Sequence, residues 1–366
     1  MRIAFLAKRH SIHTVRWVNA LARRGHDVHL LSSVHHGAPM DPEVHFHALP
    51  VPPPAGFFAN VFAARRVLAH VRPDVLNTHF ASGYGTLGRL TGFAPNVLSV
   101  WGSDVYDFPA KSPLHRQLVA RNLARADRVC STSETMARRT ASLHPSVGAK
   151  LDVVPFGIDT SAFAPQPRLG ESTITIGTVK TLAPKYGVDL LLRAFAHLRA
   201  DPTLGAQTAE RLRLRVVGGG PDEAKLRSLA ASLGIDDATR FVGAVAHEEV
   251  PSHLQELDVY VALSRLDSES FGVAVIEASA CGVPVVVSDV GGLPEVVVDG
   301  QTGIVVPRED AGAAAEALGR LVRDVDLRAT MGRSGRAHVL EHYGWDACVT
   351  RMEATLARAL GAHAAA

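Results

Sequence analysis

The sequence predicts an α/β chain made of two doubly wound halves, and three observations carry that reading. Residues 2–33 run strand, loop, helix, strand: RIAFLA, a polar loop from Lys8 to Thr14, TVRWVNALARRG, then DVHLLSS. The helix shows apolar residues at 15, 18, 21 and 22 and a stop at Gly25. A second β–α series opens at ITIGTV (174–179). VYVALS (259–264) and VPVVVSD (283–289) are uninterrupted apolar runs, as expected of parallel strands covered on both faces.

The whole chain sets wider bounds. Its 366 residues suit two or three domains, and 47% apolar content is enough for large cores. No apolar run reaches the roughly 18 residues of a membrane span. The start, MRIAFLAKRH, is too short in apolar residues for a signal peptide and leads straight into a folded pattern. Cys130, Cys281 and Cys348 show no metal spacing, and their odd number argues against a disulfide framework, so a reducing cytoplasm fits. Charge divides unevenly. Residues 1–160 hold 18 Lys and Arg against 10 Asp and Glu, and 12 of the 18 histidines; the remainder holds 20 against 26. Such an asymmetry concerns partners and points to an anionic partner or a membrane surface for the first half.

In the first half the opening loop reads His10-Ser11-Ile12-His13-Thr14 and lacks G-x-G-x-x-G, so dinucleotide binding is not indicated. His13 is a candidate ligand contact, with a solvated loop histidine as the other reading. LPVPPPAG leads into FFANVFAARRVLAHV, whose apolar spacing beside Arg65 and Arg66 reads as an amphipathic helix, either ordinary or facing a membrane or acceptor. Strands beginning at Asp74 and at Val97 place His79, Trp101, Ser103 and Asp104 at strand mouths, where a doubly wound domain builds its site. Asp104 has a helix cap as its plainer role. ADRVCSTSE (126–134) reads as a further strand and helix start.

The second half is organised around Val259 to Pro307. Between the two apolar strands lie RLDSES and FGVAVIEASACG, a loop and a short helix. Ser268 or Ser270 is the expected cap, and Gly282 sits where a left-handed residue closes a helix. The loop aims backbone N–H groups and a positive helix end beyond the strand, an arrangement that favours a phosphate. Glu269 and Glu277 flank that place, and carboxylates accept hydrogen bonds from hydroxyls. Together they suggest a phosphate ligand carrying sugars. Gly218 to Pro221 lacks the G-K-[ST] ending of a Walker loop.

Glu269-Ser270-Phe271-Gly272 followed by Glu277, with GVPVVVSDVGG after it, resembles the E-x7-E motif of retaining glycosyltransferases of family 4. The resemblance implies the GT-B fold, two Rossmann-like domains facing across a cleft. Residues 1–163, with a returning C-terminal helix at 346–366, would bind the acceptor; residues 164–345 would bind the nucleotide sugar. It implies that Glu277 holds the ribose and Glu269 the donor sugar, while Ser270, Phe271, Gly272 and Val273 contribute donor contacts. Lys180 and Lys185 stand where the family places Arg and Lys on the donor diphosphate, so the first cation is a point charge rather than a fork. Backbone at Val242, Gly243 and Ala244 corresponds to the base-contacting segment. On the acceptor or sugar side lie His13, His79, Trp101 and Asp104; relatives often carry His where Trp101 stands, and Trp101 can stack on a sugar ring instead. Gly291 and Gly292 are expected to let backbone approach the donor.

The resemblance further implies transfer of a sugar from a nucleoside diphosphate sugar to an acceptor hydroxyl. The leaving phosphate helps take the acceptor proton, so no cofactor and no metal is expected, and the chain is expected to contain no Asp-x-Asp that could hold one beside the diphosphate. Expected partners are the donor and an unidentified hydroxyl acceptor, with no nucleic acid. The expected location is the cytoplasm, at the inner membrane face if the acceptor is a lipid. An inverting transferase with a base such as His13, a nucleotide-sugar epimerase, and a non-catalytic nucleotide-sugar-binding module remain the other readings.

Overall fold

The computed structural model describes residues 1–166 and 173–364, which form two units: Met1–Gly157 with Asp346–Ala366, and Ile158–Trp345. The chain first changes unit after Gly157, earlier than the expected boundary at 163.

The first unit is a seven-stranded, all-parallel sheet. Its strands are β1 (Arg2–Leu6), β2 (Asp27–Ser32), β3 (Val44–Ala48), β4 (Val75–His79), β5 (Asn96–Ser99), β6 (Arg128–Ser131) and β7 (Leu151–Val153), in the order β3-β2-β1-β4-β5-β6-β7. The order reverses direction between β1 and β4, which makes the sheet doubly wound, with its ligand end at the strand C-termini. β1 and β4 are buried on both faces, with Ile3, Phe5, Val75 and Leu76 at 0% exposure and the polar Asn77, Thr78 and His79 of β4 equally buried.

Three elements here were not legible in advance. β3 alternates Val44, His45, Phe46 and His47 at the sheet edge. The helix Gly83–Thr91 contains three glycines, a composition that argues against a helix. Their reason is close packing: a Cβ at Gly88 would lie 2.7 Å from Thr78 Oγ1, and one at Gly85 2.8 Å from the Phe80 carbonyl. The helix Pro113–Arg125 is capped by the Ser112 side chain. The expected helix after the proline-rich stretch is two pieces, Gly56–Ala59 and Val61–Val71, broken at Asn60, whose amide is committed to Val51 and Ser33. Arg65 is exposed and also braces the fold. Its guanidinium donates to the Thr91 and Leu90 carbonyls, both at 2.9 Å, closing the neighbouring helix.

The second unit has a six-stranded parallel sheet: β8 (Ile174–Val179), β9 (Leu212–Val217), β10 (Thr239–Gly243), β11 (Val259–Ala262), β12 (Val285–Ser288) and β13 (Gly303–Val306), ordered β10-β9-β8-β11-β12-β13. The reversal falls between β8 and β11. Leu191, Phe195, Leu214, Val261 and Leu318 belong to one continuous core beneath it.

The final helix, Trp345–Ala364, belongs to the first unit from Asp346 onward. Asp152 anchors it. The carboxylate takes two-pronged hydrogen bonds from Arg128 at 2.9 and 2.7 Å and one from Arg358 at 2.9 Å. At the other end, Glu353 accepts from His26 at 2.9 Å and from Arg24 at 2.6 Å. Asp152→Ala should therefore leave a half-buried arginine without its partner and cost about 2 kcal/mol, read as a lower urea midpoint at unchanged slope. An unchanged midpoint would show that the helix docks by packing alone.

Candidate functional site

Lys180 follows β8 and Glu269 lies in the loop after β11, so the two chains leave the reversal point in opposite directions and meet above it. Lys180 Nζ donates to Glu269 Oε1 at 2.8 Å, with side-chain exposures of 13% and 9%. Burial works against the Lys180 ammonium, but Glu269, with Tyr260 and Tyr186 nearby, holds its pKa above the ordinary lysine value. Tyr260, fully buried on β11, has its hydroxyl 3.4 Å from the Val179 carbonyl. Burial pushes its phenol up to about 12, and Lys180, Glu269 and Glu277 all act on it.

Lys185 sits one short turn onward and donates to the Ser268 carbonyl at 2.9 Å. Both ammonium groups lie over the ring of Tyr186, at 4.9 Å for Lys180 and 5.5 Å for Lys185. The turn is pinned by Arg265, which donates bidentately to Asp189 at 2.6 and 2.8 Å and to Glu309 at 2.7 Å. Its backbone N–H also donates to the Lys185 carbonyl at 2.8 Å. Gly187 completes the turn with φ 61°, where a Cβ would lie 1.9 Å from the Leu263 carbonyl oxygen.

The helix Val273–Ala280 carries Glu277, 5% exposed, on its second turn. Its cap differs from expectation. Ser268 does not cap it, since its Oγ makes no hydrogen bond among the described residues, and the residue directly before the helix is Gly272 with φ 91°. Gly282 does close the helix, with φ 76°. Phe271 is buried against Tyr343, ring centroids 5.6 Å apart, so only its backbone can serve a ligand. Ser264 Oγ and Ser268 Oγ are buried with no hydrogen-bond partner among the described residues. The glycine pair 291–292 packs against the protein's own loop. It clasps the loop: the Gly292 N–H donates to the Glu269 carbonyl at 2.9 Å, and a Cβ at Gly291 or Gly292 would lie 2.2 Å from a carbonyl oxygen of Glu269 or Ser270.

Beside Lys180 lies a cavity of about 290 Å³ lined by Thr181, Gly218, Gly219, Ala244 and Val245. Of the segment 242–244, Ala244 reaches it. Val242 and Gly243 belong to β10, and the Gly243 carbonyl accepts the Gly218 N–H at 2.8 Å.

The four residues expected on the acceptor or sugar side fall in the first unit with unequal standing. His13 lies on the helix Ile12–Arg23, not in a loop, and stacks on Phe156 with centroids 4.1 Å apart. Trp101 is half-buried among His13, His79, Phe80 and Phe156, its ring 4.4 Å from His79. His79 is wholly buried. Its Nε2 faces Asn77 Oδ1 at 2.9 Å and its Nδ1 faces Thr14 Oγ1 at 3.2 Å. Burial, with His13 adding to it, pushes its imidazole down to about 3, so it is a neutral core residue and no ligand contact. Asp104 is likewise buried. It accepts the N–H groups of Ala81, Trp101 and Gly102 at 2.6, 3.0 and 3.0 Å and ties the loops after β4 and β5 together; burial pushes its carboxyl up. The expected helix cap and the expected ligand contact are both replaced by this anchoring role.

A cavity of about 440 Å³ opens at the C-terminal ends of β1, β4 and β5, lined among others by Lys8, Phe57, Phe80, Tyr84, Ser103 and Phe108. Sequence reasoning did not find it, because its aromatic walls come from four separate segments. Phe80 holds φ 68°, a strained conformation for a side-chain-bearing residue and one that marks functional loops. One Asp-x-Asp does occur, contrary to expectation, at Asp324-Val325-Asp326; Asp324 caps the helix Val325–His342 by accepting the Leu327 N–H at 2.8 Å.

Comparisons follow from this geometry. Residues 159–338 match the family model described as glycosyl transferases group 1, and residues 2–133 match that described as glycosyl transferase 4-like. The chain is 34% identical over 277 residues to a GDP-mannose-dependent alpha-(1-6)-phosphatidylinositol monomannoside mannosyltransferase of Mycolicibacterium smegmatis, covering 71% of this chain and 69% of that protein. It is 33% identical over 300 residues to a D-inositol 3-phosphate glycosyltransferase of Kribbella flavida, covering 75% and 68%. Among solved structures, a sucrose-phosphate synthase from Thermosynechococcus elongatus superposes with TM-score 0.84 at 22% identity, covering 99% and 100%. Anabaena HepE in complex with UDP and glucose gives 0.79 at 18%, covering 98% and 99%. These structures share the GT-B fold with this chain.

The buried pair makes a clear expectation for stability. Lys180→Met strands Glu269 out of water and should cost about 3 kcal/mol, while Lys180→Met with Glu269→Gln should recover part of it. The Lys180 pKa is raised on folding, so its contribution is complete below the ordinary value of 10.5 and lost as pH rises above it. Urea midpoints of wild type and Lys180→Met should differ by a constant amount from neutral pH to about 9 and converge in stronger alkali. Equal midpoints at neutral pH would mean that the pair contributes nothing net.

Proposed function

The chain belongs to the group 1 glycosyl transferases and is a hexosyltransferase, and from that premise we propose that it moves a hexose from a nucleoside diphosphate sugar to an acceptor hydroxyl with retention at the anomeric carbon. The observation that carries the proposal is the Lys180–Glu269 pair at the strand-order reversal, with buried Glu277 on the adjoining helix. This is where an open α/β sheet binds its ligand.

Each group has a task in this reading. Lys180 and Lys185 offset the charge that grows on the departing diphosphate, and donors fixed in advance at such a place are worth roughly 2.7–4 kcal/mol each. Glu269, oriented by Lys180, accepts from hydroxyls of the donor sugar. Glu277 accepts from the ribose. The amides at the start of the helix Val273–Ala280 meet the phosphates, and the cavity beside Ala244 takes the base. The leaving phosphate receives the acceptor proton on the same face, so the protein supplies position and charge rather than a base. No resident metal or cofactor is required for that chemistry.

For the acceptor, the aromatic cavity with Lys8 at its edge supports an amphiphile carrying an anionic group. Phe58 lines that cavity at 60% exposure, and Phe62, four residues on, is 82% exposed. The M. smegmatis relative is described as acting on a phosphatidylinositol monomannoside, an acceptor of this type, and as GDP-mannose-dependent, so GDP-mannose is the first donor to try. No helix among the described residues is long and apolar enough to cross a membrane. Contact with a lipid acceptor would be peripheral.

The two glutamates separate the roles. Glu277→Ala should weaken binding of both free nucleoside diphosphate and donor by about 10- to 150-fold, the equivalent of roughly 1.5–3 kcal/mol for a charge-assisted bond. Glu269→Ala should leave diphosphate affinity nearly intact and lower kcat. Calorimetry with the diphosphate, steady-state rates and the anomeric NMR signal of the product measure all three. Inversion at the anomeric carbon, or equal loss of diphosphate affinity in both variants, would overturn the assignment.

A second measurement addresses the acceptor. The chain should co-sediment with anionic phospholipid vesicles at low salt, and Phe58→Ser with Phe62→Ser should abolish this without changing donor affinity. Absence of binding by the wild type would favour a soluble acceptor.

A further inference from the structure

The first unit carries a second group of side chains with ligand chemistry that transfer does not use. β2 begins Asp27-Val28-His29, and β3 runs Val44-His45-Phe46-His47-Ala48. Alternate residues of a strand share a face, so Asp27 pairs with His29 and His45 with His47. The parallel register sets His29 opposite His45 and Leu31 opposite His47, which brings all four polar side chains to one face at the sheet edge. The His29 ring lies between the other two, 4.8 Å from His45 and 5.2 Å from His47.

Their donor atoms converge. His29 Nε2 is 2.9 Å and His45 Nε2 3.7 Å from the same oxygen, Asp27 Oδ1. One donor atom from each of the three lies within 4.8 Å of the others. His29 Nε2 is buried, with Asp27 Oδ1 as its near neighbour on the side facing the cluster. The other ring nitrogen, Nδ1, is 3.0 Å from His47 Nε2. With Nδ1 donating to His47, the tautomer of His29 is the one a metal ligand needs. Arg2 Nε holds the second oxygen of Asp27 and leaves Oδ1 to the cluster.

We propose that Asp27, His29 and His45 bind a divalent first-row transition ion of the Zn2+ class, with His47 orienting His29. Two imidazoles and one carboxylate suit such ions better than Mg2+ or Ca2+, which favour all-oxygen sets. Bonds of about 2.0–2.2 Å place tetrahedral ligand atoms about 3.3–3.6 Å apart, and the observed 2.9 and 3.7 Å bracket that spacing. The cluster sits where β2 and β3 begin, at the opposite end of the sheet from the cavity at the ends of β1, β4 and β5. The ion is therefore a fastening between edge strand β3 and its neighbour, and takes no part in sugar transfer. Part of its binding energy appears as folding stability.

The test uses the full chain without a histidine tag, stripped with a chelator and titrated with Co2+ and then Zn2+. One Co2+ per chain should give the visible bands of a low-coordinate imidazole site, displaced stoichiometrically by Zn2+. His45→Ala, at an exposed position that leaves the core intact, and His29→Gln should each weaken Zn2+ binding at least about tenfold, and His47→Ala about tenfold through loss of orientation. His36→Ala, in the separate His10–His36 stack, should change nothing. Affinity should fall as pH drops through the histidine range, since the ligands must be deprotonated. Binding that is not stoichiometric, that survives both His45→Ala and His29→Gln, or that is lost equally in His36→Ala would overturn the proposal.

Discussion

Bringing an ammonium and a carboxylate together out of water is costly unless their geometry is enforced, and the surroundings of Lys180 and Glu269 enforce it. The strand order reverses between β8 and β11, so the chain after each strand departs to a different side and the two loops face one another. Arg265 then binds the turn that carries Lys185, and the Gly291–Gly292 pair seats the Glu269 loop from behind. Gly218 allows the next strand end to close in, its α-carbon so near the Lys180 carbonyl that a Cβ would lie 1.9 Å from the oxygen. These contacts fix backbone rather than side chains. The two charges inherit their position from the path of the loops.

Much of this was readable from the residues. E-S-F-G with Glu277, the paired lysines and the apolar strands are local in sequence, and each lies at the end of one strand, so spacing alone puts them on one side of a sheet. The first unit was less legible for the opposite reason. Its aromatic cluster draws on positions 13, 79, 101 and 156, and its cavity on segments near 8, 57, 80 and 108. A strand mouth also has an inside and an outside. His79 is the last residue of β4 and points inward to Asn77 and Thr14, whereas Trp101, two residues past β5, is half-buried. Periodicity cannot tell these apart at the end of a strand, where alternation breaks down.

Glycine misled at 83, 85 and 88, where it concealed a helix, because propensity counts the entropy of the free chain and not the gain from laying backbone on β4. At 291 and 292 it lets the protein's own loop approach closely. Serine at 268 and 270 looked like a cap, yet the position directly before the helix is filled by Gly272 in a left-handed conformation, which turns the chain sharply into the helix.

Tyr186 links matters that the motif treats as separate. Because the ammonium groups of Lys180 and Lys185 rest on one ring, they do not constitute two independent parameters. A change of the aromatic residue alters both electrostatic contributions at once, and a shift of the short turn from Pro184 to Tyr186 moves them jointly. This end of the site therefore varies along one coordinate where two charges would ordinarily give two. The wall formed by Ala244 and Val245 stands on a different strand end, so a change there leaves that coordinate untouched.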